Sequence, residues 1–91
     1  MCLCGMLAAE YQTLPAPMQR AVVDFFDDNE DWLTSVLEHG KQERTLQFSG
    51  PARETARATL SALEGALLVA RTYGDPRRFQ GVARQLLAAL T

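Results

Sequence analysis

The segment "TLSALEGALLVARTYGDPRRFQ", Thr59 to Gln80, constrains the fold more than any other part of this sequence. Gly74 suits the end of one helix, Asp75 the cap of the next, and Pro76 the first position inside it. Two helices therefore follow one another with only a tight turn between them. The helix before the turn is apolar over most of its circumference, which is typical of a helix packed between two neighbours.

On a helical wheel, the helix that ends near Tyr73 carries two apolar stripes, offset from each other by very roughly 120°. One stripe can pack on the chain's own helices, whereas the second needs another partner, and its small residues would let a helix approach closely. In the polar strip that remains, Glu64 is expected to pair with Arg57 or Arg71, or across a dimer. The first stripe is Ala56, Leu60, Leu63, Leu67 and Ala70; the second is Ala58, Ala62, Ala66, Val69 and Tyr73, with Gly65 at its edge; the polar strip is Arg53, Arg57, Ser61, Glu64 and Arg71.

The second stripe leads us to predict self-association of an all-α fold. The third and fourth helices are expected to form an antiparallel pair, and two such pairs from two chains to build a four-helix bundle across a twofold axis. The alternative is that the second stripe packs on the short first helix of the same chain.

The rest of the sequence predicts three further helices and no strand. The first is short and apolar, from Cys2 to Leu14, and ends at the prolines of "LPAP". The second runs from about Pro17 to His39, with an apolar and an acidic face, and Gly40 is its expected C-terminal stop. The fourth starts at Pro76 and presents an apolar face made of Phe79, Val82, Ala83, Leu86, Leu87 and Leu90.

A polar linker, "KQERTLQFSG", joins the second helix to the third. Leu46 and Phe48 are its predicted core residues. Pro51 is the expected first residue of the third helix, with Ser49 or Gly50 as the cap.

Length and composition indicate one soluble globular domain over residues 1–91. Of the 91 residues, 47% are hydrophobic and 22% are charged, with a net charge of −2, so no basic excess points to nucleic-acid binding. No apolar run approaches the roughly 18 residues that cross a bilayer. The opening "MCLCGMLAA" lacks the basic start of a signal peptide. We therefore expect a cytoplasmic protein with reduced cysteines and no membrane partner.

The residues that carry chemistry are few and scattered. Cys2 and Cys4 diverge by about 200° on a helix, and His39 lies far along the chain, so no shared metal site is expected. His39 suits a structural role at a helix C-terminus. Glu10 and Glu64 are too isolated to form an acid/base pair. We predict no catalytic residue, no metal and no cofactor, and a protein that is not an enzyme.

The whole chain resembles the C-terminal domain of TetR-family transcriptional repressors. The resemblance is carried by the order and spacing of three segments. They are "CLCGMLAAE" (residues 2–10), "FFDDNEDWLTSVLEHGKQERTL" (residues 25–46) and "ALEGALLVARTYGDPRRFQGVARQLL" (residues 62–87).

In that family the C-terminal domain binds a small effector and dimerises through its last two helices. The resemblance therefore implies a homodimer, with an apolar or aromatic effector between the first three helices. The implied dimer-interface residues are Ala62, Gly65, Ala66, Val69, Tyr73, Phe79, Val82, Leu86 and Leu87; the implied effector-pocket residues are Met6, Glu10, Phe26, Trp32, Leu33, Leu63 and Leu67, for each of which core packing is the alternative.

Two departures from the family pattern, and one further possibility, qualify these implications. The sequence shows no helix-turn-helix, so DNA would be reached only through an N-terminal domain absent from it. Arg44 and Thr45 stand where many relatives have a Gly. Some relatives sense oxidants or electrophiles with a cysteine, and Cys2 or Cys4 could do so, or pack in the apolar core. The chain is expected to be the sensing and dimerisation domain of a repressor; the alternative is a free-standing helical protein that forms mixed dimers with a full-length regulator.

Overall fold

The computed structural model describes residues 2–91, and this range is entirely helical apart from its connections. The predicted all-α class is confirmed, with four α-helices and no strand among the described residues. A single 3-10 turn, Tyr11–Thr13, joins the first two helices. The helices are α1 Leu3–Ala9, α2 Ala16–Gln42, α3 Ala52–Tyr73 and α4 Pro76–Leu90.

The turn between α3 and α4 forms as the sequence predicts. Gly74 adopts a left-handed conformation with φ of 61° and ends α3, and its lack of a side chain makes that conformation inexpensive. The Asp75 carboxylate accepts a hydrogen bond from the Arg77 backbone N–H at 3.0 Å, which caps α4. Pro76 occupies the first position of α4. Helix α4 therefore folds straight back and packs closely against α3.

Helix α2 continues past Gly40, so the predicted stop at that residue is wrong. The helix ends with Glu43 as its C-cap, and Arg44 takes the left-handed conformation with φ of 62°. The Arg44 N–H donates to the Lys41 carbonyl at 3.2 Å and the Thr45 N–H to the Gly40 carbonyl at 2.9 Å. These two bonds satisfy the last carbonyls of the helix in the manner of a Schellman motif.

Gly40 serves a packing role inside the last turns of α2. It is buried, and the Leu46 side chain folds back over it. A methyl group at residue 40 would lie 2.6 Å from Leu46 Cγ and closer still to Leu46 Cδ1. Leu46 is half-buried, as expected of a core residue in the linker. The glycine therefore makes room for the chain reversal but does not end the helix.

The start of α3 also differs from the prediction. Pro51 was predicted as the first helical residue, with Ser49 or Gly50 as the cap, but Pro51 is itself the N-cap and the helix begins at Ala52. The fixed φ of Pro51, −65°, suits the extended conformation of an N-cap residue. Half-buried Phe48 lies beneath Lys41, whose Nζ is 4.6 Å from the ring centroid. The Gln47 N–H donates to the Leu90 carbonyl at 2.6 Å and ties the linker to the end of α4.

The other boundaries shift for local reasons. Helix α1 ends at Ala9, where the prediction extended the first helix to Leu14. The residues after it tighten into the 3-10 turn, and Pro15 then serves as the N-cap of α2. No helix within residues 2–91 combines the length and the apolarity needed to cross a bilayer.

The helices lie side by side in a thin layer with little interior. The Cα atoms span 43 × 31 × 15 Å, and α3 packs on α2 along one side and on α4 along the other. The buried apolar residues are Val22, Leu37, Ala56 and Ala70. A monomer of 10.1 kDa has an accessible surface of about 5,300 Å², whereas this chain exposes 6393 Å². The surplus is typical of a chain whose fold is completed by a partner.

Replacing Gly40 with Ala should destabilise the fold by about 1–2 kcal/mol, because the clash with Leu46 outweighs the gain in helix propensity. Urea unfolding followed by circular dichroism at a fixed protein concentration measures this. Gly81→Ala in α4 is the matched control, since its methyl group would meet only Arg84 Nη2 at 4.0 Å. The control should gain up to about 1 kcal/mol. Equal effects of the two substitutions would contradict the packing role of Gly40.

Arg44→Gly should stabilise the fold by about 1 kcal/mol, because glycine adopts the left-handed conformation without the steric cost borne by an L side chain. The same substitution within a helix, Arg84→Gly in α4, should destabilise by a similar amount. Chemical unfolding of both variants beside the wild type checks the opposite signs. A loss of stability at residue 44 would mean that Arg44 makes a contribution other than its backbone conformation.

Candidate functional site

Helices α1, α2 and α3 line a pocket of about 480 Å³ that is open to solvent, which we call the three-helix cavity. Most of its wall is apolar, and three ionisable side chains break the apolar surface. A cavity of this size with a few polar groups suits a small organic molecule. The lining residues are Gly5, Ala8 and Ala9 from α1, Phe26 and Glu30 from α2, and Arg57, Leu60, Ser61, Glu64, Gly65 and Leu68 from α3.

Small residues keep this space open. On α1, Gly5 and Ala8 lie three residues apart, and on α3, Ser61 and Gly65 lie four apart, so each pair occupies one face of its helix. Their short side chains leave a gap between backbones that larger residues would fill. Phe26, Leu60 and Leu68 supply the large apolar side chains of the wall.

Glu30 joins α2 to α3 at one side of the three-helix cavity. Its Oε1 accepts hydrogen bonds from Arg53 Nη1 and Arg57 Nε, each at 2.9 Å. Arg53 Nη1 also contacts Asp31 Oδ1 at 2.8 Å. The hydrogen bond from Arg53, reinforced by that from Arg57, holds the pKa of Glu30 below its ordinary value. Glu30 and Asp31, both on the acidic face of α2, therefore form ion pairs that connect α2 to α3.

Glu64 has a different partner from the arginines predicted for it. The Cys2 thiol donates a hydrogen bond to Glu64 Oε1 at 2.8 Å, because α1 folds over the polar strip of α3. Burial, followed by the hydrogen bond to Glu64, raises the pKa of Cys2. Glu64 Oε2 is buried and accepts no hydrogen bond from any residue within 2–91. Glu64 lines the three-helix cavity, but Oε2 itself has almost no accessible surface and is not exposed to the cavity.

A second surface lies along α3 and α4, on the side of α3 away from α1. A shallow groove of about 390 Å³ runs there, and we call this surface the α3–α4 face. The guanidinium of Arg78 stacks 3.5 Å from the Tyr73 ring centroid. Val69 is 50% exposed, and Tyr73 and Leu87 are each 62% exposed. The groove is lined by Ala62, Gly65, Ala66, Val69, Arg78 and Val82.

Comparison with known proteins identifies the family. The family model for the tetracyclin repressor-like C-terminal domain matches residues 1–86. The chain belongs to this family. A TetR transcriptional regulator from Legionella pneumophila is 33% identical with a TM-score of 0.85, over 100% of this chain and 46% of that one. The reduced form of NemR from E. coli shares the fold, with a TM-score of 0.92 and 23% identity, over 99% of this chain and 48% of that one.

The tetracyclin repressor-like domain therefore spans less than half the length of each of these two structures. A comparison with curated protein sequences gave no match. Within residues 2–91, no three His, Cys, Asp or Glu side chains lie close enough together to hold a metal ion.

The predicted effector residues of this tetracyclin repressor-like domain do not lie together in the structure. Phe26 lines the three-helix cavity. The Met6 sulfur accepts a hydrogen bond from Arg71 Nη1 at 3.7 Å, and Glu10 is exposed. Trp32 is 65% exposed and lines a separate groove near the end of α2. The remaining predicted residues, Leu33, Leu63 and Leu67, are half-buried and do not line the cavity.

Sequence reasoning missed most of the cavity wall because the wall is made of small and charged residues. The predicted effector residues were mostly large apolar side chains, whereas Gly5, Ala8 and Gly65 line the cavity by leaving space. Glu30 belongs to the acidic face of α2 and Arg57 to the polar strip of α3, and neither surface was predicted to line a pocket. The signal available was the polar strip of α3, whose charged residues interrupt an otherwise apolar helix.

The predicted interface residues lie together along α3 and α4. Ala62, Gly65, Ala66, Val69 and Val82 line the groove of the α3–α4 face. Phe79 and Leu86 are half-buried, whereas Tyr73 and Leu87 are exposed. Helix α1 lies against the other side of α3, where Cys2 meets Glu64, so it leaves the second apolar stripe uncovered.

Glu30→Gln should lower stability at pH 7, and the difference from the wild type should shrink in acid. Because the pKa of Glu30 is lowered in the folded state, the unfolded state takes up its proton first, at about pH 4.3. The stabilisation is therefore complete above that pH and is lost as pH falls through the lower folded value. Urea unfolding from pH 7 to pH 3, at one protein concentration, measures the difference.

Asp27→Asn is the control for this series. Asp27 is exposed on α2 and makes no ion pair with a described residue. Its substitution should leave the difference from the wild type close to zero throughout. A Glu30→Gln difference that stays constant down to pH 3 would show that the ionic attachment of α2 to α3 contributes nothing.

Proposed function

We propose that this chain is the ligand-sensing and dimerisation domain of a TetR-like transcriptional repressor. Two copies pair through the α3–α4 face to form a four-helix bundle. A small apolar or aromatic effector occupies the three-helix cavity. DNA binding belongs to an N-terminal helix-turn-helix domain that lies outside these 91 residues.

The observation that carries this proposal is the uncovered apolar stripe of α3. The first stripe includes Ala56 and Ala70, both of which are buried. In the second stripe, Val69 and Tyr73 are largely exposed. Leu87 of α4 extends the same exposed surface. Isolated exposed apolar residues are ordinary, but a continuous apolar face along two helices marks an interaction surface.

The surface area supports a partner of substantial size. The chain exposes 6393 Å², which exceeds the expectation for a monomer of its mass by about 1,100 Å². A standard protein interface buries about 800 Å² on each partner. A twofold pairing brings the same surface of each copy together, so a self-complementary apolar face satisfies both chains.

The mechanism that fits this arrangement is positional. Helix α3 lines the three-helix cavity on one side and the α3–α4 face on another, through Glu64 and Ala66 respectively. A ligand that binds one arrangement of α1, α2 and α3 better than another would shift their equilibrium. The spacing of two DNA-binding domains attached to the dimer would change with it. The match to a TetR transcriptional regulator over the full chain supports this role.

Solution mass tests the proposal. Light scattering over a dilution series should show a dimer for the wild type. Ala66→Arg should give a monomer or an unfolded chain, because it buries a long charged side chain at the centre of the interface without a partner. Circular dichroism distinguishes these two outcomes, both of which support the pairing.

Ala88→Arg is the matched control. Ala88 is exposed and lies opposite the apolar face of α4 on the helical wheel. This variant should remain a folded dimer. A wild-type chain that is monomeric at every concentration, or an Ala66→Arg chain that remains dimeric, would overturn the proposed pairing.

A further inference from the structure

Ser61 carries a hydroxyl group that the fold leaves free. Thr34 and Thr72, which also lie inside helices, donate their hydroxyl protons to the carbonyl of the preceding turn, at 2.6 and 3.2 Å. Ser61 could do the same within α3, but its hydroxyl forms no hydrogen bond with any residue within 2–91. Ser61 is also exposed. Its hydroxyl is therefore available to a molecule from outside the chain.

The position of Ser61 on α3 directs its side chain to the three-helix cavity. The α3 residues that line the cavity span an arc of about 140° on the helical wheel, and Ser61 lies about 30° from the middle of that arc. Gly65 follows one turn later, and a methyl group at that residue would meet no atom within 4 Å. The space beside Ser61 is therefore open, and a ligand in the cavity can reach the hydroxyl.

The charged groups of the cavity wall already have partners. Glu30 Oε1 accepts hydrogen bonds from Arg53 and Arg57, each at 2.9 Å. Glu64 Oε1 accepts from the Cys2 thiol, and Glu64 Oε2 has almost no accessible surface. A charged ligand group would give up hydration without finding a free partner of opposite charge in this wall. The wall therefore favours a neutral ligand.

The polar groups that remain free in the wall are hydrogen-bond donors. Arg57 precedes Ser61 by one turn and lines the same cavity. Its Nε donates to Glu30, whereas its two terminal nitrogens donate to no residue within 2–91. Residues four positions apart lie on the same side of a helix. An acceptor oxygen beside Ser61 would therefore have donors on two consecutive turns of α3.

We propose that the three-helix cavity takes a neutral, largely apolar molecule with one hydrogen-bond acceptor, such as an aromatic ketone, whose acceptor oxygen binds the Ser61 hydroxyl. This inference rests on the proposed ligand-sensing function and names the class of its ligand. The apolar body of the molecule lies against Phe26, Leu60 and Leu68. Leu68 is 50% exposed, so a ligand that covers it removes apolar surface from water.

Four naphthalene probes of similar shape test the ligand class. The ketone 1-acetonaphthone has the acceptor oxygen, and 1-isopropenylnaphthalene replaces that oxygen with a methylene group. At pH 7, 1-naphthoate is an anion and 1-(1-naphthyl)ethylamine is a cation. Isothermal titration calorimetry should show the ketone binding about fivefold more tightly than the alkene, because the net gain from a neutral hydrogen bond is of that order. Both charged probes should bind more weakly than the ketone.

The variant Ser61→Ala isolates the hydroxyl. Affinity for the ketone should fall about fivefold, while affinity for the alkene changes little. Ser35→Ala is the matched control, because Ser35 is exposed within α2 and does not line the three-helix cavity. It makes the same chemical change inside a helix and should leave the affinity for all four probes unchanged.

The outcomes separate this inference from the proposed function. A purely apolar cavity would bind the alkene at least as tightly as the ketone, and that result would overturn the inference while leaving a ligand cavity in place. A ketone affinity that Ser61→Ala does not alter, or tightest binding by a charged probe, would do the same. Absence of binding by all four probes would overturn the inference and the proposed effector together, and dimerisation would still be judged by light scattering. Circular dichroism and solution mass of Ser61→Ala should match the wild type, which shows that any lost affinity is not lost folding.

Discussion

The packing of α3 between α2 and α4 is the interaction on which the rest of the structure depends. Two of the few buried apolar residues, Ala56 and Ala70, belong to this helix, and small side chains allow neighbouring helices to approach closely. Glu30 adds a polar attachment by binding Arg53 and Arg57 together. With α3 fixed in this way, its remaining surface is divided between the three-helix cavity and the α3–α4 face.

The thinness of the molecule follows from this arrangement. Helices that lie side by side bury only the flanks that touch, so a layer 15 Å thick has little interior. Leu37 is the one large side chain among the described residues that is almost fully buried. In a chain of this size each buried apolar side chain contributes a large share of the stability. Covering the exposed face by a second copy would supply the apolar burial that the single layer lacks.

Local chemistry determined how much of the fold was predictable. The α3–α4 turn was predicted residue by residue because Gly74, Asp75 and Pro76 each act through the backbone of their own position. The end of α2 was mispredicted for two reasons. Gly40 is required by the packing of the Leu46 side chain and does not end the helix, and Arg44 adopts the left-handed conformation in its place. Sequence periodicity contains no information about such a tertiary contact.

The same distinction applies to the candidate site. The apolar stripes of α3 placed the exposed face correctly on the helix, since a 3.6-residue period is a property of one element. The cavity depends on how α1 crosses α3, and this crossing joins Cys2 to Glu64 over 62 positions of sequence. The sequence predicted an arginine partner for Glu64 and no specific partner for Cys2. Predicting the pair required the path of the chain between them.

Gly65 belongs to both surfaces, since it lines the three-helix cavity and the groove of the α3–α4 face. Only the thickness of a helix backbone separates the two at this residue. A ligand in the cavity and a second copy on the α3–α4 face would therefore contact opposite sides of the same helix. Any free energy of coupling between the two binding events acts in both directions. A ligand that tightens the pair must bind the pair more tightly than the single chain. The apparent ligand affinity would then depend on how concentrated the protein is.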